Sequence, residues 1–251
     1  MDGLGMSAQP GHLYIVATPI GNLRDITLRA RDTLAAVDLI ACEDTRHSGS
    51  LLAHLEIRKP LVSLHQHNEA MRSAQLLTEL QQGKSIAYIS DAGMPGVSDP
   101  GQRLVTACRQ AGIPVEVLPG PSAVLTALIG SGFPADAFYF GGFLPVKSGQ
   151  RERVLSAALD ADETSVFFET PHRLETTLAL LARIAPDRLI CVARELTKKF
   201  EEYRRGPAAE VAAHYLAHPA KGEICLLIAG AELPKWAAGA AVPEEGESKD
   251  L

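Results

Sequence analysis

The segment YISDAGMPGVSDPG, residues 88–101, carries the strongest architectural signal in the chain. An apolar run from Ser85 to Ser90 breaks there into three glycines, two prolines and two aspartates, which is how a strand hands the chain to a loop. The loop lacks Gly-Lys-Ser/Thr and a strict G-x-G-x-x-G, and no Lys or Arg lies between Tyr88 and Gly101. It is therefore not built to cradle a polyphosphate. Two carboxylates, Asp91 and Asp99, instead suit a ligand that is cationic or rich in hydroxyls and amines, because opposite charges attract strongly in a partly dry cleft. A plain Gly/Pro connector between strand and helix fits the same residues, and the segment alone leaves both readings open.

On either side of this segment the pattern repeats. His12 to Ala17 is an apolar, β-rich run ending in Thr18-Pro19-Ile20-Gly21-Asn22. A helical pattern from Leu28 to Val37 follows, with Thr27 or Asp25 as its cap, then a strand from Asp38 to Cys42 ending in Glu43-Asp44-Thr45-Arg46. A helix over 45–57, a strand from Leu61 to Leu64, a helix from Ala70 to Leu80 capped by Asn68, the central strand, a helix from about Pro100 to Ala111 and a strand from Pro114 to Leu118 complete the series. Alternating strands and helices predict a parallel α/β sheet.

Pro119-Gly120-Pro121-Ser122 is the sharpest punctuation, which predicts a flexible N-terminus over 1–11, one α/β domain over 12–119 and a second over 120–230. In the second, strands are expected at Phe138–Phe143, Thr164–Glu169, Leu189–Arg194, Phe200–Arg205 and Glu223–Ala229, with helices from Pro171 to Ile184 and over 208–217. The sheet is expected to be mixed. Residues 231–251 are Ala/Gly/Pro-rich and acidic, the composition of a disordered tail.

A chain of 251 residues with 46% apolar and 22% charged side chains can bury a real core. Its net charge of −6 argues against coating a nucleic acid or an anionic membrane by bulk electrostatics. Yet residues 145–205 hold 11 Lys and Arg against 10 acids, so that region is near +1 and the remainder near −7. Any polyanion is expected on the second domain. Cys42, Cys108, Cys191 and Cys225 have no C-x-x-C spacing and sit in apolar runs, as buried hydrophobes do in a reducing compartment. With no basic flank and apolar core at the N-terminus and no run near ~20 apolar residues, a cytoplasmic protein without a membrane partner is expected.

Open parallel sheets bind ligands beyond the carboxyl ends of their strands. Those ends carry Pro19 to Asn22, Glu43 to Arg46, His65-Gln66-His67-Asn68-Glu69 and Asp91 to Gly101. Bland readings stand beside each: His65, His67 and Glu69 as a solvated turn rather than metal ligands, Glu43 and Asp44 as a helix start, and Arg194 to Lys199 as a salt-bridged surface hairpin. No metal site is expected.

Taken together, TPIGNLRDITLRA, IACEDTR, YISDAGMPGVSDPG, PGPSAVLTALIGSG, GFLPVKSGQR, FFETPHRLETTL, RELTKKFEEYRRG and KGEICLLI, in order from about residue 12 to 230, resemble the bacterial small-subunit ribosomal RNA 2′-O-methyltransferases. That family is a branch of the tetrapyrrole methylase superfamily. The resemblance implies a two-domain α/β class III methyltransferase with an N-terminal parallel and a C-terminal mixed sheet, S-adenosylmethionine in a cleft between the domains, and a homodimer. It implies methylation of a cytidine ribose 2′-hydroxyl in the decoding region of 16S rRNA, within the small ribosomal subunit. Carried over, the cofactor contacts fall on Pro19, Asp91, Ala92, Gly93, Val97, Ser122, Ala123 and Glu169. Asp99 is then expected to cap the helix after Pro100. Where tetrapyrrole enzymes have G-x-G-P-G-D and G-G-D-P loops, this chain has Pro19-Ile20-Gly21-Asn22 and Asp91-Ala92-Gly93-Met94, which favours the ribosomal branch over a porphyrinogen or precorrin C-methyltransferase. A ribosome-associated protein without catalysis is the reading from another class. Methyl transfer to a hydroxyl is an in-line displacement in which positioning contributes much of the rate and a base takes the proton. Glu43, His65, His67, Glu169 and Lys198 are the candidate bases. Arg24, Arg46, Arg173, Lys198 and Lys199 are the candidate RNA contacts.

Overall fold

The computed structural model describes residues 8–234, and the chain divides into two compact units, the first ending at Ser122 and the second starting at Ala123. Most of the expected acidic tail, and the first seven residues, lie outside the described residues. Gln9 and Gly11 are tied to the first unit through hydrogen bonds from Gln9 N to Tyr14 Oη (2.9 Å) and from Gly11 N to Gly83 O (3.0 Å).

The first unit runs β1 (Leu13–Val16), α1 (Leu28–Ala36), β2 (Leu39–Cys42), α2 (Thr45–His54), β3 (Leu61–Ser63), α3 (Glu69–Gln81), β4 (Ile86–Ile89), α4 (Gln102–Gln110) and β5 (Val115–Leu118). The strands form one parallel sheet in the order β3-β2-β4-β1-β5. β1, β2 and β4 are buried along their whole length, which explains why they read as unbroken apolar runs. Their side chains still alternate. Ala87 and Ile89 join one core layer with Tyr14, Val16, Leu34 and Ile40, whereas Ile86 and Tyr88 join the other with Leu13, Ile15, Leu76 and Leu104.

Helix boundaries follow local chemistry. Thr27 caps α1, its hydroxyl accepting from Ala30 N at 3.0 Å, and Asp44 caps α2 by accepting from Arg46 N at 2.8 Å. The helix expected over 45–57 stops at His54, since Glu56 adopts a left-handed φ of 58°. Asn68 precedes α3, but its side chain accepts from His65 N at 2.9 Å and leaves the helix uncapped. The expected Asp99 cap of α4 is corrected: Gly101 holds the N-cap position at φ 118°, and the Glu69 carboxylate accepts from Gly101 N at 2.8 Å. No residue with a Cβ fits at 101, because that atom would run into the Tyr88 ring.

The second unit runs α5 (Ala123–Ser131), β6 (Phe138–Phe143), α6 (Ser148–Asp160), β7 (Thr164–Glu169), α7 (Pro171–Ile184), β8 (Leu189–Arg194), β9 (Glu202–Pro207), α8 (Ala208–Ala217) and β10 (Ile224–Ile228). Its sheet is mixed, in the order β6-β7-β10-β8-β9, with β6 and β7 parallel and the other pairs antiparallel. β9 begins two residues beyond the expected Phe200, because Glu195 (φ 50°) and Thr197 (φ 65°) make a wide turn before Arg194 pairs with Glu202. Leu155, Leu174, Leu178, Val211 and Tyr215 cover one face of the sheet together with Ile224 and Leu226. α5 packs on the opposite face, where Cys225 Sγ meets Ala123 O (3.8 Å) and Tyr203 Oη donates to Thr126 O (3.2 Å). All four cysteines are free and buried, and burial pushes the thiols of Cys191 and Cys225 up to about 12. Among the described residues, no helix is long and apolar enough to cross a membrane.

Candidate active site

All five strands of the first sheet run parallel, so their C-terminal loops leave from one edge. Two of those loops are joined. Thr18 N donates to Gly93 O (2.9 Å) and Gly93 N to Thr18 O (3.1 Å), a single antiparallel bridge that sets Pro19 beside the Asp91–Gly93 turn. Thr18 Oγ1 donates to Ser90 O (3.1 Å), and Ser90 Oγ to Ala92 O (3.3 Å). Gly93 stands at φ 76°, and a Cβ there would press on Ile20 Cγ2 at 3.3 Å, so the close approach of the two loops depends on its missing side chain.

Four carboxylates share this edge. Asp44 N donates to Asp91 Oδ1 (3.2 Å). Burial pushes the Glu43 carboxyl up, and the charges of Asp99, Asp91 and Asp44 push it further. Burial likewise raises Asp99 to about 6, with Asp91 adding and a Ser90 hydrogen bond opposing. Asp44 behaves oppositely: its bonds to Arg46, through Nε at 3.2 Å and Nη2 at 2.8 Å, hold it at about 2. Beneath them Tyr88 is fully buried, its phenol donating to Pro100 O (3.0 Å), and burial raises its pKa. An edge on which burial and neighbouring acids push Glu43 and Asp99 toward neutrality is poised for a cation.

The other expected residues are distributed as follows. Ala92 and Val97 are exposed, and Pro19 is buried. His65 lies in the β3–α3 loop of the same sheet, its Nδ1 buried without a hydrogen-bond partner; the His67 ring stands 6.0 Å away, edge-on. Glu69 is drawn away to α4, as described. Arg24 is exposed on the 3-10 turn Leu23–Asp25. Glu169, Arg173, Lys198 and Lys199 belong to the second unit. Glu169 is buried, accepting from Thr170 N (2.8 Å), Thr177 Oγ1 (2.8 Å) and Arg173 Nη2 (2.7 Å). Arg173 also donates to Thr170 Oγ1 and to Leu144 O (2.9 Å), so its whole guanidinium serves the fold. Lys198 lies 2.9 Å from both Glu195 and Glu223; burial lowers its pKa, but these hydrogen bonds outweigh it and the net shift is upward. Lys199 is exposed, its Nζ 5.5 Å from the centre of the Phe200 ring. Sequence reasoning gave no role to Thr18 or Ser90 beyond punctuation, although a polar residue directly after a buried strand is the signal that could have found them; Asp44, read there as part of a helix start, is the N-cap of α2.

A parallel sheet followed by a mixed sheet, with an acidic edge on the first, defines a two-unit α/β protein. The fold is shared with solved structures: diphthine synthase superposes with a TM-score of 0.73 at 12% identity over 90% of this chain and 92% of that one, and a cobalt precorrin-4 methyltransferase with 0.63 at 15% over 92% and 97%. A family profile described as tetrapyrrole (corrin/porphyrin) methylases matches residues 12–212. Proteins called ribosomal RNA small subunit methyltransferase I are similar throughout: that of Synechocystis sp. is 50% identical over 222 residues, 88% of this chain and 80% of the relative, and that of Escherichia coli O157:H7 is 48% identical over 223 residues, 88% and 78%. The chain belongs to the tetrapyrrole methylase family and, within it, to the ribosomal RNA small subunit methyltransferase I group.

Membership makes it an S-adenosylmethionine-dependent methyltransferase. The donor set fits that group. A sulfonium and an ammonium are cations, and Glu43, Asp91 and Asp99 crowd one edge with no Lys or Arg in the Tyr88–Gly101 segment.

Proposed function

We propose that the protein transfers a methyl group from S-adenosylmethionine to the ribose 2′-hydroxyl of a cytidine in the decoding region of 16S rRNA, within the small ribosomal subunit. The observation that carries this reading is the near-50% identity, across 88% of the chain, to relatives called ribosomal RNA small subunit methyltransferase I. When bound, the cofactor supplies an electrophilic methyl group on a sulfonium. In the proposed site Pro19, Asp91, Ala92, Gly93 and Val97 bind it, with Asp91 and Asp99 as counter-charges and the Thr18–Gly93 bridge fixing the loops. Ser122, Ala123 and Glu169 are retained as further cofactor contacts on the strength of the family resemblance.

Glu43 is the proposed base. Its carboxyl is raised by burial and by three neighbouring acids, which brings it closer to the acidity at which a base is effective near neutral pH. Lys198, held as a cation by two glutamates, and Glu169, whose oxygens accept three hydrogen bonds, are less free to take a proton. His65 has a free ring nitrogen but no partner to orient it. Arg24, Arg46, Lys198 and Lys199 are proposed to meet RNA. The same reading carries a homodimer, supported by the exposed Phe138, Tyr139 and Phe143 on edge strand β6 and checked by light scattering, and a cytoplasmic location with the ribosome.

The deciding experiment incubates the purified protein and labelled S-adenosylmethionine with small subunits from a strain lacking the modification. Label on one cytidine ribose is expected. Label only on protein, or on a porphyrinogen, would overturn the reading.

A further inference from the structure

We propose that Arg151 and the exposed start of α6 form a binding site for a backbone phosphate of the substrate RNA, an inference that rests on the RNA-methylating reading above. Arg151 lies on the buried face of α6 with Leu155 and Ala158 and is only 6% exposed. Its Nε is buried with no hydrogen-bond partner, and no carboxylate among the described residues forms an ion pair with it. A buried guanidinium nitrogen in that condition is costly, because buried polar groups are ordinarily hydrogen-bonded. Arg173, nearby in the same unit, shows the usual solution: Glu169, Thr170 and Leu144 engage all of its nitrogens. Arg151 has no such set, so its counter-ion is expected to come from outside the chain.

The geometry also says where. Helical side chains lean toward the helix N-terminus and cover the turn before their own Cα, so Arg151, the fourth residue of α6, is aimed at the turn formed by Ser148, Gly149 and Gln150. That turn is exposed, has no side-chain cap and contains no acid. α6 is 13 residues long, so its first N–H groups present a full helix dipole to an anion. Lys147 stands exposed at the cap position. Glu152, the next residue along α6, is paired with Arg183 at 2.8 Å. Arg173 ties the loop before α6 to the start of α7 through Leu144 O, and His172 in that first turn is exposed. Gln150 N and Arg151 N both donate to Lys147 O, which leaves the N–H groups of Ser148 and Gly149 for the anion, and a planar guanidinium beside them would match a phosphodiester oxygen pair.

Two variants of the full-length protein test this. Arg151→Met keeps the stem volume and removes the charge. Gly149→Asp adds an acid where a Cβ meets nothing within 4 Å; it suits a helix first turn but repels a phosphate. For each, KM and kcat on unmodified small subunits, calorimetric affinity for S-adenosylmethionine, melting temperature, and filter binding of a labelled decoding-region RNA fragment across a salt series are measured. Both variants are expected to raise KM and weaken RNA binding about tenfold with cofactor affinity unchanged, and Arg151→Met to flatten the slope of log affinity against log salt by about one. Unchanged RNA affinity and salt slope in a folded Gly149→Asp overturn the site, whatever Arg151→Met does to folding. A wild type that binds RNA through Arg151 yet never methylates it overturns the methylation reading instead and leaves the phosphate site standing.

Discussion

Asp91 and Asp99 are the two acids of one loop, and they do different things. Asp91 accepts from Asp44 N and faces the proposed cofactor position, so Asp91→Ala should weaken S-adenosylmethionine binding about tenfold or more by calorimetry. The melting temperature should move little, because a half-exposed loop carboxylate contributes little to the core; unchanged affinity would remove Asp91 from the site. Asp99 has a folded pKa of about 6 against an ordinary 3.8, chiefly through burial. A folded pKa raised in an acid is a cost. It is fully present above about pH 6 and relieved as pH falls toward 3.8, where the folded state binds the extra proton. Asp99→Asn should therefore stabilise the protein by about 1 kcal/mol at pH 8, after discounting for partial exposure, and by nothing at pH 4. Melting curves at the two pH values check the sign.

At the scale of the element, α4 depends on an arrangement that neighbouring residues in sequence cannot supply. Its start needs a left-handed backbone at Gly101 packed on the Tyr88 ring, and its first amide is capped by Glu69 from the start of α3. Gly101→Ala introduces both a strained φ and an overlap with a buried ring, for a loss of about 3 kcal/mol in denaturant unfolding. A Cβ at Gly149, by contrast, meets nothing, and Gly149→Ala should be neutral or slightly stabilising in the same measurement. If the two glycines respond alike, the packing account of α4 is wrong.

At the scale of the whole molecule, charge sets how RNA is approached. A chain of net charge −6 gains no general attraction to a polyanion, so recognition has to be local and shared with the shape of the particle. Methyl transfer to intact small subunits should exceed transfer to protein-free 16S rRNA by at least about tenfold in kcat/KM, and it should fall with added salt only as a few phosphate contacts require. Equal rates on naked RNA would assign specificity to the enzyme alone.

The sequence by itself determined the elements. Strands buried on both faces must be continuous apolar runs, and glycine and proline must interrupt them, so LYIV, LIAC and IAYI and the loops after them were legible, as were a parallel first sheet and a mixed second. Family membership was legible too, because eight ordered blocks are far more specific than any one loop. The tertiary structure alone decided partnership. That Glu69 caps α4, that Thr18 bridges Gly93 across 75 positions, that Arg173 is consumed by Glu169 and Leu144 while Arg151 keeps a buried Nε without a partner, all join residues far apart in the chain or separate near neighbours. Hydrogen bonds and charges act through distances of about 3–4 Å in space. Sequence spacing fixes those distances within a helix or strand, and only packing fixes them between elements.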